Sequence, residues 1–455
     1  MANAPGGPAA AIDAWNAELT DESAAESGGW LDAQLARRGL TFGERPLCTV
    51  LRPRFLTRGQ YDGLRGRLGV LLGAFRRAHE AALADASFRA QFGLADWEES
   101  LLTSLPAPRS PSPLSRVDAF FTEGDGGLKV TEYNAETPAG AAYGDVLAEL
   151  FLALPAGAAF QRRWRLTPLP GRPGVLHALL AAHRDRFGRA EPPAVAIVDW
   201  RQVPTQSEFR LFRDYFQGLG VSCVIVDPEE LEYTGGRLHA GGTPITVVYK
   251  RVLLAELIAR GGRDHALVCA VREGNVAMVD SFHCKPLHKK ASLAVLSDER
   301  NGALFDADQR AAVAELVPWT RRLEERRTEH AGRPVDLVPF VLARRERLVL
   351  KPNDDYGGAG VVLGWTVDAG TWERAVRGAL ESPHVVQERI PLPSEIFPCL
   401  VDDRVHFGER IVDIAPYAYD VTWVEGCLTR VSTDALVNVT AGGGSTVPTF
   451  LVEAR

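Results

Sequence analysis

Apolar residues recur along this chain with three rhythms, and each predicts a different kind of element. Between residues 57 and 83, Leu64, Leu68, Leu71, Leu72 and Phe75 return every three or four positions, which predicts a helix with one buried face. Residues 207–218 repeat this with Phe209, Phe212 and Phe216 inward, and Gly218 and Gly220 end the helix. A second rhythm is the short unbroken apolar run: 194–200 (AVAIVDW), 221–227 (VSCVIVD) and 246–251 (TVVYKR). Strand, helix, strand at this spacing predicts a βαβ unit with a parallel sheet. No GxGxxG follows its first strand, which argues against a dinucleotide site. The third rhythm, alternation, dominates residues 115–140 (SRVDAFFTEGDGGLKVTEYNAETPAG) and predicts a hairpin with strands 117–121 and 128–133 around a turn at 124–127.

The rest of the chain reads more coarsely. Residues 1–12 hold little to bury and are expected to be disordered. A weak helical pattern over 11–39 breaks at Gly28-Gly29, residues 47–51 suit a short strand, and 88–101 a helix. A proline-rich run from Pro106 to Pro113 marks a boundary. Helices are expected at 143–154, 175–187, 306–327 and 370–380, and a strand, polar loop and helix over 276–296. Strands are expected at 347–351, 361–365 and 384–390, then at 400–405, 409–418, 427–431 and 435–440, with a loop at 442–446 before a last strand, TFLV. The fold class is therefore α/β in the first two thirds and α+β with antiparallel strands at the end.

Composition narrows the function. A net charge of −7 leaves no electrostatic footprint for nucleic acid. No apolar run approaches a membrane span, the first residues lack the pattern of a signal peptide, and six scattered cysteines without a CxxC pair suit reduced thiols in a cytoplasm. No GxSxG is present and no cysteine sits in a nucleophile signature.

Four stretches carry candidate chemistry. On one face of the hairpin, Arg116 and Asp118 can meet Glu132 and Asn134; two carboxylates and an amide oxygen suit Mg²⁺, and a neighbouring arginine suits phosphate. A polar strand face with a solvated ion pair explains the same residues as well. KPNDDYGGAGV (351–361) sets Lys351 at a strand end before Gly357, Gly358 and Gly360, whose backbone can cradle phosphate; it is not a Walker loop, and alone it is also a plain hairpin. HKKAS offers Lys289 or Lys290, or a solvated lysine pair. HVVQERI (384–390) reads as an edge strand ending in Gln387, Glu388 and Arg389, where backbone groups can bind a purine; by itself it is a strand end. His283, Cys284 and His288 lack a fourth ligand, so an ordinary loop outweighs zinc.

In order and spacing, RVDAFF, LKVTEYNAETP, VVYKR, the lysine of HKKA, LVLKPNDDYGGAGV and VVQERI resemble the circularly permuted ATP-grasp proteins of the glutathionylspermidine synthase type, over roughly residues 115–450. The Glu-x-Asn of Glu132 and Asn134 precedes Lys351, which is the permuted order. The resemblance implies four regions: a mostly helical 1–114; a metal-binding hairpin and helices, 115–190, joining the grasp core; a Rossmann-like pre-ATP-grasp domain, 191–275; and a nucleotide-binding region with a glycine-rich lid, 276–455. It implies ATP and Mg²⁺, with Asp118, Glu132 and Asn134 as metal ligands and Arg116 at the γ-phosphate. Lys290 and Lys351 would be nucleotide lysines, Gly357, Gly358 and Gly360 the mobile loop, and Gln387, Glu388 and the backbone near Arg389 the adenine hinge. Arg430 resembles an arginine near an acyl phosphate, and Lys250 or Arg251 would line the substrate cleft. The implied activity is a carboxylate–amine ligase that joins a small-molecule or peptide carboxylate to an amine. An inactive nucleotide-binding partner subunit and a phosphotransferase on the same fold are the alternatives. No amidase signature precedes the matching region, so the bifunctional arrangement is not expected, and the first hundred residues resemble nothing named.

Overall fold

The computed structural model describes residues 7–43, 45–122, 126–188, 192–355, 357–434 and 444–455. Its organising element is the helix Arg58–Ala84. Thr57 caps it, accepting from the Gln60 N–H while the Gln60 side chain returns to the Thr57 N–H. Leu64, Leu68, Leu71, Leu72 and Phe75 are all buried, and each contributes about 2 kcal/mol of apolar burial. That face packs on the hairpin of Leu114–Phe121 and Leu128–Asn134, with Phe75 stacked on Tyr133 at 4.4 Å between ring centroids. Val117, Val130 and Tyr133 therefore face the helix, and the polar residues between them face the other way.

The hairpin closes a large antiparallel sheet. Its strand Leu114–Phe121 pairs with Ala415–Tyr419, which continues through Trp423–Ser432 to Arg404–Val412 and Ser394–Val401. Beside it stands a four-stranded parallel sheet in the order Ala277–Val279, Val247–Lys250, Ala194–Val198, Ser222–Val226, the βαβ unit expected from the apolar runs. The helix Gln206–Gly218 covers it with Phe209, Phe212 and Phe216 fully buried. A third sheet orders Thr320–Arg322, His384–Glu388, Leu348–Pro352 and Val362–Leu363. Arg54–Leu56 and Trp164–Pro168 flank the last strand, Thr449–Ala454, so three segments distant in sequence share one small sheet.

Several expectations are corrected. Residues expected to be disordered at the start form the helix Pro8–Ala17, which buries Trp15; residues 1–6 lie outside the described ones. Gly28-Gly29 does not interrupt the helix Asp21–Arg38. A Cβ at Gly28 would lie 2.9 Å from Leu400 Cδ2, so the glycine admits a neighbour. Strands form at Arg45–Pro46 and Arg54–Leu56, not at 47–51. The helix expected over 88–101 is broken by Gly93 at φ 62° into Ala86–Arg89, a 3₁₀ turn and Asp96–Ser104. The long helix expected over 306–327 starts at its Asp306 cap but stops at Leu316, before Pro318. Its arginines join a strand and ion pairs instead: Arg321 with Glu299 at 2.8 Å and Arg326 with Asp298 at 2.6 Å. Residues 400–405 are a hairpin turn at Asp402 and Asp403, both at positive φ. Residues 409–418 split at Asp413, and 361–365 pairs only over Val362–Leu363. The strand expected at 435–440 and residues 124–125 of the turn expected at 124–127 lie outside the described residues, as does the start of the 442–446 loop, whose end is the strand Gly444–Val447.

Candidate active site

A cleft of about 550 Å³ runs between the hairpin, the third sheet and the parallel sheet. Register brings its acidic wall together: Arg116 lies opposite Asn134 and Asp118 opposite Glu132, with a bulge between Asp118 and Ala119. Asp118 is held by two arginines. Arg116 binds it through both Nε (2.6 Å) and a terminal nitrogen (2.8 Å), and Arg430 adds a contact at 2.9 Å. Burial works against the carboxylate, but the two guanidinium charges outweigh it and hold Asp118 at about 2. Arg430 also donates its Nε to Asp413 at 2.6 Å, and burial pushes the Asp413 carboxyl up. Asn134 is different: its Oδ1 is buried and has no hydrogen-bond partner among the described residues.

The basic wall faces Glu132. Lys290 Nζ lies 3.2 Å from its carboxylate and 2.5 Å from the Asp355 carbonyl. Lys351 Nζ donates to the Thr131 carbonyl at 3.2 Å and to Gln387 Oε1 at 2.7 Å. Burial resists the charge on Lys351, Glu132 restores part of it, Lys290 opposes it, and the amine falls to about 8. Glu132 is lowered, because the charges of Lys290 and Lys351 outweigh its burial. Gly357, Gly358 and Gly360 sit at φ 67°, 77° and 68°, which other residues rarely adopt. Gly357 and Gly358 line the cleft; Gly360 packs instead toward Pro352. Tyr356 lies outside the described residues.

His384–Glu388 corrects one expectation. It is a central strand, paired on both sides, not an edge. The Glu388 N–H donates to the Trp319 carbonyl and the Arg389 N–H to the Arg347 carbonyl, so those donors are taken. Gln387, Glu388 and Arg389 still line the cleft, with Arg389 over the Trp365 ring at 4.2 Å. Val349, Val361, Leu363 and Ile390 make this end an apolar slot that suits a flat ring.

Of HKKAS, Lys290 reaches the cleft, while Lys289 is buried in a cluster that sequence reading missed. Lys289 contacts Glu98 at 2.7 Å and Asp354 at 2.6 Å, and Lys285 contacts Glu98, Glu136 and Asp354 at 2.9–3.1 Å. Lys285 and Lys289 stand four residues apart, a spacing visible in the sequence. Glu98 is 191 positions from Lys289 and left no signal. Glu136, His288 and Asp354 could geometrically share a cation, but the Lys285 ammonium already bonds both carboxylates. His288 does not join His283 and Cys284: it faces Glu136 at 3.5 Å, and burial lowers it to about 4. The Asp354 contacts clamp the stem of the glycine loop, and the Lys290 N–H donates to the Asn353 carbonyl at 3.0 Å.

The architecture is a mixed α/β fold of the ATP-grasp type. It is similar over nearly its whole length to a solved glutathione synthetase-like effector from Globodera pallida in its apo form: TM-score 0.59, 13% identity, covering 94% of this chain and 96% of that one. In sequence the chain is 27% identical, over an alignment covering 92% of its length, to a putative glutamate–cysteine ligase 2-3 of Frankia alni. It is 26% identical over 71% of its length to a putative glutamate–cysteine ligase 2-2 of Frankia casuarinae. The chain covers 49% and 36% of those two proteins, so it spans at most about half the length of the curated relatives it matches. No family model matches it. Among the described residues no helix is long and apolar enough to cross a membrane.

Proposed function

We propose that the protein is an ATP- and Mg²⁺-dependent carboxylate–amine ligase that forms an amide through an acyl phosphate and releases ADP and phosphate. One observation carries this reading: the hairpin register gathers Asp118, Glu132 and the unpartnered Asn134 oxygen opposite Lys290 and Lys351. Lys351, on the second wall, is 220 positions from Thr131 on the first. The metal-type strand precedes the lysine and glycine loop in the sequence, which supports the permuted arrangement of the glutathionylspermidine synthase type. The four-region division belongs to the same proposal, with residues 191–275 as the pre-ATP-grasp part.

A hard divalent cation fits Asp118, Glu132 and Asn134. All three offer oxygen, and no donor among the described residues satisfies the buried Asn134 Oδ1. When bound, the ion would supply positive charge to the polyphosphate. The protein's own groups do the rest. The apolar slot beside Gln387 and Glu388 holds the ring. Lys351 and Lys290 offset charge along the phosphates, with the Gly357 and Gly358 backbone close by. Arg116 and Arg430 stand beside Asp118, where the transferring group gains charge on its equatorial oxygens. The substrate carboxylate attacks the γ-phosphorus and ADP leaves. The amine then attacks the acyl carbon, phosphate leaves, and the amine's proton passes to solvent. Excluding water from the cleft protects the acyl phosphate between the two steps.

The test is ADP release over pairs of amino acids, peptides and amines, with the relatives' names putting amino acids first. ADP, phosphate and amide in equal amounts, without AMP, are expected. With ¹⁸O in the carboxylate, one label should appear in phosphate. A phosphorylated product that persists would indicate a phosphotransferase. Nucleotide binding without turnover of any pair would indicate a partner protein, and AMP with pyrophosphate would overturn γ-phosphate activation.

A further inference from the structure

Beyond the phosphate-facing walls the cleft continues to the carboxyl ends of the parallel strands, where ligands of open α/β sheets are commonly held. Asp199 follows Ala194–Val198 and Arg251 follows Val247–Lys250. Val198 pairs with Lys250, and the Arg251 N–H donates to the Val198 carbonyl at 2.9 Å, so these two residues leave neighbouring strands side by side. Adjacent strands lie about 4.8 Å apart. Both residues line the cleft and both are more than nine-tenths buried, Asp199 at 8% exposure and Arg251 at 5%.

Each has bonding capacity that the protein does not use. Among the described residues, the hydrogen bond to the Asp199 side chain is from the Trp200 N–H to Oδ1, at 2.8 Å. The cations near it are committed elsewhere: Lys250 donates to the Glu136 and Val252 carbonyls, and Arg251 pairs with Glu208 at 3.2 Å. Glu208 is itself fully engaged, accepting from the Gly140 and Ala142 N–H groups at the start of the helix Ala141–Ala153. Burial accordingly pushes the Asp199 carboxyl up to about 6. In Arg251 one terminal nitrogen holds Glu208 and the Tyr249 hydroxyl, and the guanidinium lies near the Phe209 and Tyr249 rings. Its buried Nε has no partner among the described residues. Arg251 and Lys250 offset part of the Asp199 charge from a distance, but among the described residues no cation makes an ion-pair contact with it. A buried carboxylate without a contacting cation, beside a buried N–H without an acceptor, is a complementary pair for a ligand that carries both charges.

We propose that this end of the cleft is a subsite for the ammonium and carboxylate of an α-amino acid, with Asp199 receiving the ammonium and Arg251 Nε the carboxylate. This rests on the ligase reading and specifies it: one of the two substrates presents an amino-acid head group. Two groups separated by a single carbon match two side chains from adjacent strand ends. Val203 and Leu253, which line the same end, offer apolar surface to a side chain.

The test is calorimetric titration of the full chain with each of the twenty L-amino acids, with and without Mg²⁺ and a non-hydrolysable ATP analogue. The best binder is then compared with its methyl ester and its des-amino acid. Each analogue should bind at least tenfold more weakly. Asp199→Asn should weaken the amino acid at least tenfold, leave the des-amino acid unchanged and leave affinity for the ATP analogue at the wild-type value, which also reports an intact fold. Binding by none of the twenty, an ester as tight as its parent, or an Asp199→Asn variant with unchanged affinity would overturn the subsite. If the ATP analogue fails to bind the wild type, the ligase reading falls, and the titrations without nucleotide still decide the subsite.

Discussion

Replacing Lys351 with methionine should remove function while leaving stability unharmed or improved near neutral pH. The amine is held at about 8 against an ordinary 10.5, so the native state opposes its charge. At about 1.4 kcal/mol per pH unit, carrying that charge at pH 7 costs the native state about 3 kcal/mol. Methionine keeps the length of the side chain without the charge. It also leaves the Thr131 carbonyl and Gln387 Oε1 without their donor, which returns about 1–3 kcal/mol of the gain. The net expectation at pH 7 is about 0–2 kcal/mol in favour of Lys351→Met. The folded pKa lies below the unfolded one, so between pH 8 and 10.5 the unfolded chain binds more protons and wild-type stability rises with pH. The advantage of the variant should therefore shrink by about 2 kcal/mol between pH 7 and 9.5. Urea midpoints of both proteins at the two pH values measure this, and titration with an ATP analogue should show affinity reduced about 10- to 100-fold. A variant destabilised by more than about 2 kcal/mol at pH 7, a gap that does not change with pH, or nucleotide affinity equal to wild type would refute the reasoning.

Two carboxylates on the same wall should behave differently. Asp118→Asn leaves the buried Arg116 without its carboxylate, while Arg430 keeps Asp413, and should cost about 3 kcal/mol by urea unfolding at pH 7. In the wild type the Asp118 contribution is present above its unfolded value of 3.8 and is lost as pH falls through about 2. Glu132→Gln, at a half-buried carboxylate ion-paired with Lys290, should unfold within about 1 kcal/mol of wild type but lose the Mg²⁺ dependence of nucleotide binding, as read by calorimetry. Asn134→Leu replaces an unsatisfied buried amide and should leave the unfolding midpoint nearly unchanged while ADP release falls by orders of magnitude. Gly140→Ala should cost about 2 kcal/mol in a urea titration, because φ is 100° and the new Cβ would lie 2.8 Å from Leu428 Cδ1.

Where chemistry is local in the chain, the sequence carried it. Alternation fixed the faces of Arg116, Asp118, Glu132 and Asn134, because a strand's side chains change sides at every residue. The helical spacing of Leu64, Leu68, Leu71, Leu72 and Phe75 named the face that packs on the back of that hairpin. The run KPNDDYGGAG announced positive-φ backbone beside a lysine. What failed were boundaries where a distant neighbour overrides local preference: the Asp21–Arg38 helix persists through two glycines because Leu400 packs there, and the 306–327 pattern ends at Leu316 where Pro318 and the ion pairs of Arg321 and Arg326 take over.

Only the tertiary structure decided which of those groups are available. Asp118 and Asn134 look equally like ligands in the sequence. Folding engages Asp118 with two arginines, one of them 312 positions away, and leaves the Asn134 oxygen alone. Lys289 and Lys290 are adjacent and chemically identical, yet one is spent on Glu98 and Asp354 and the other faces the cleft. Asp199 and Arg251 acquire meaning only when two strands pair and bury their ends together. Desolvation and long-range ion pairing depend on what lies within a few ångströms, and the order of residues along a chain does not encode that distance.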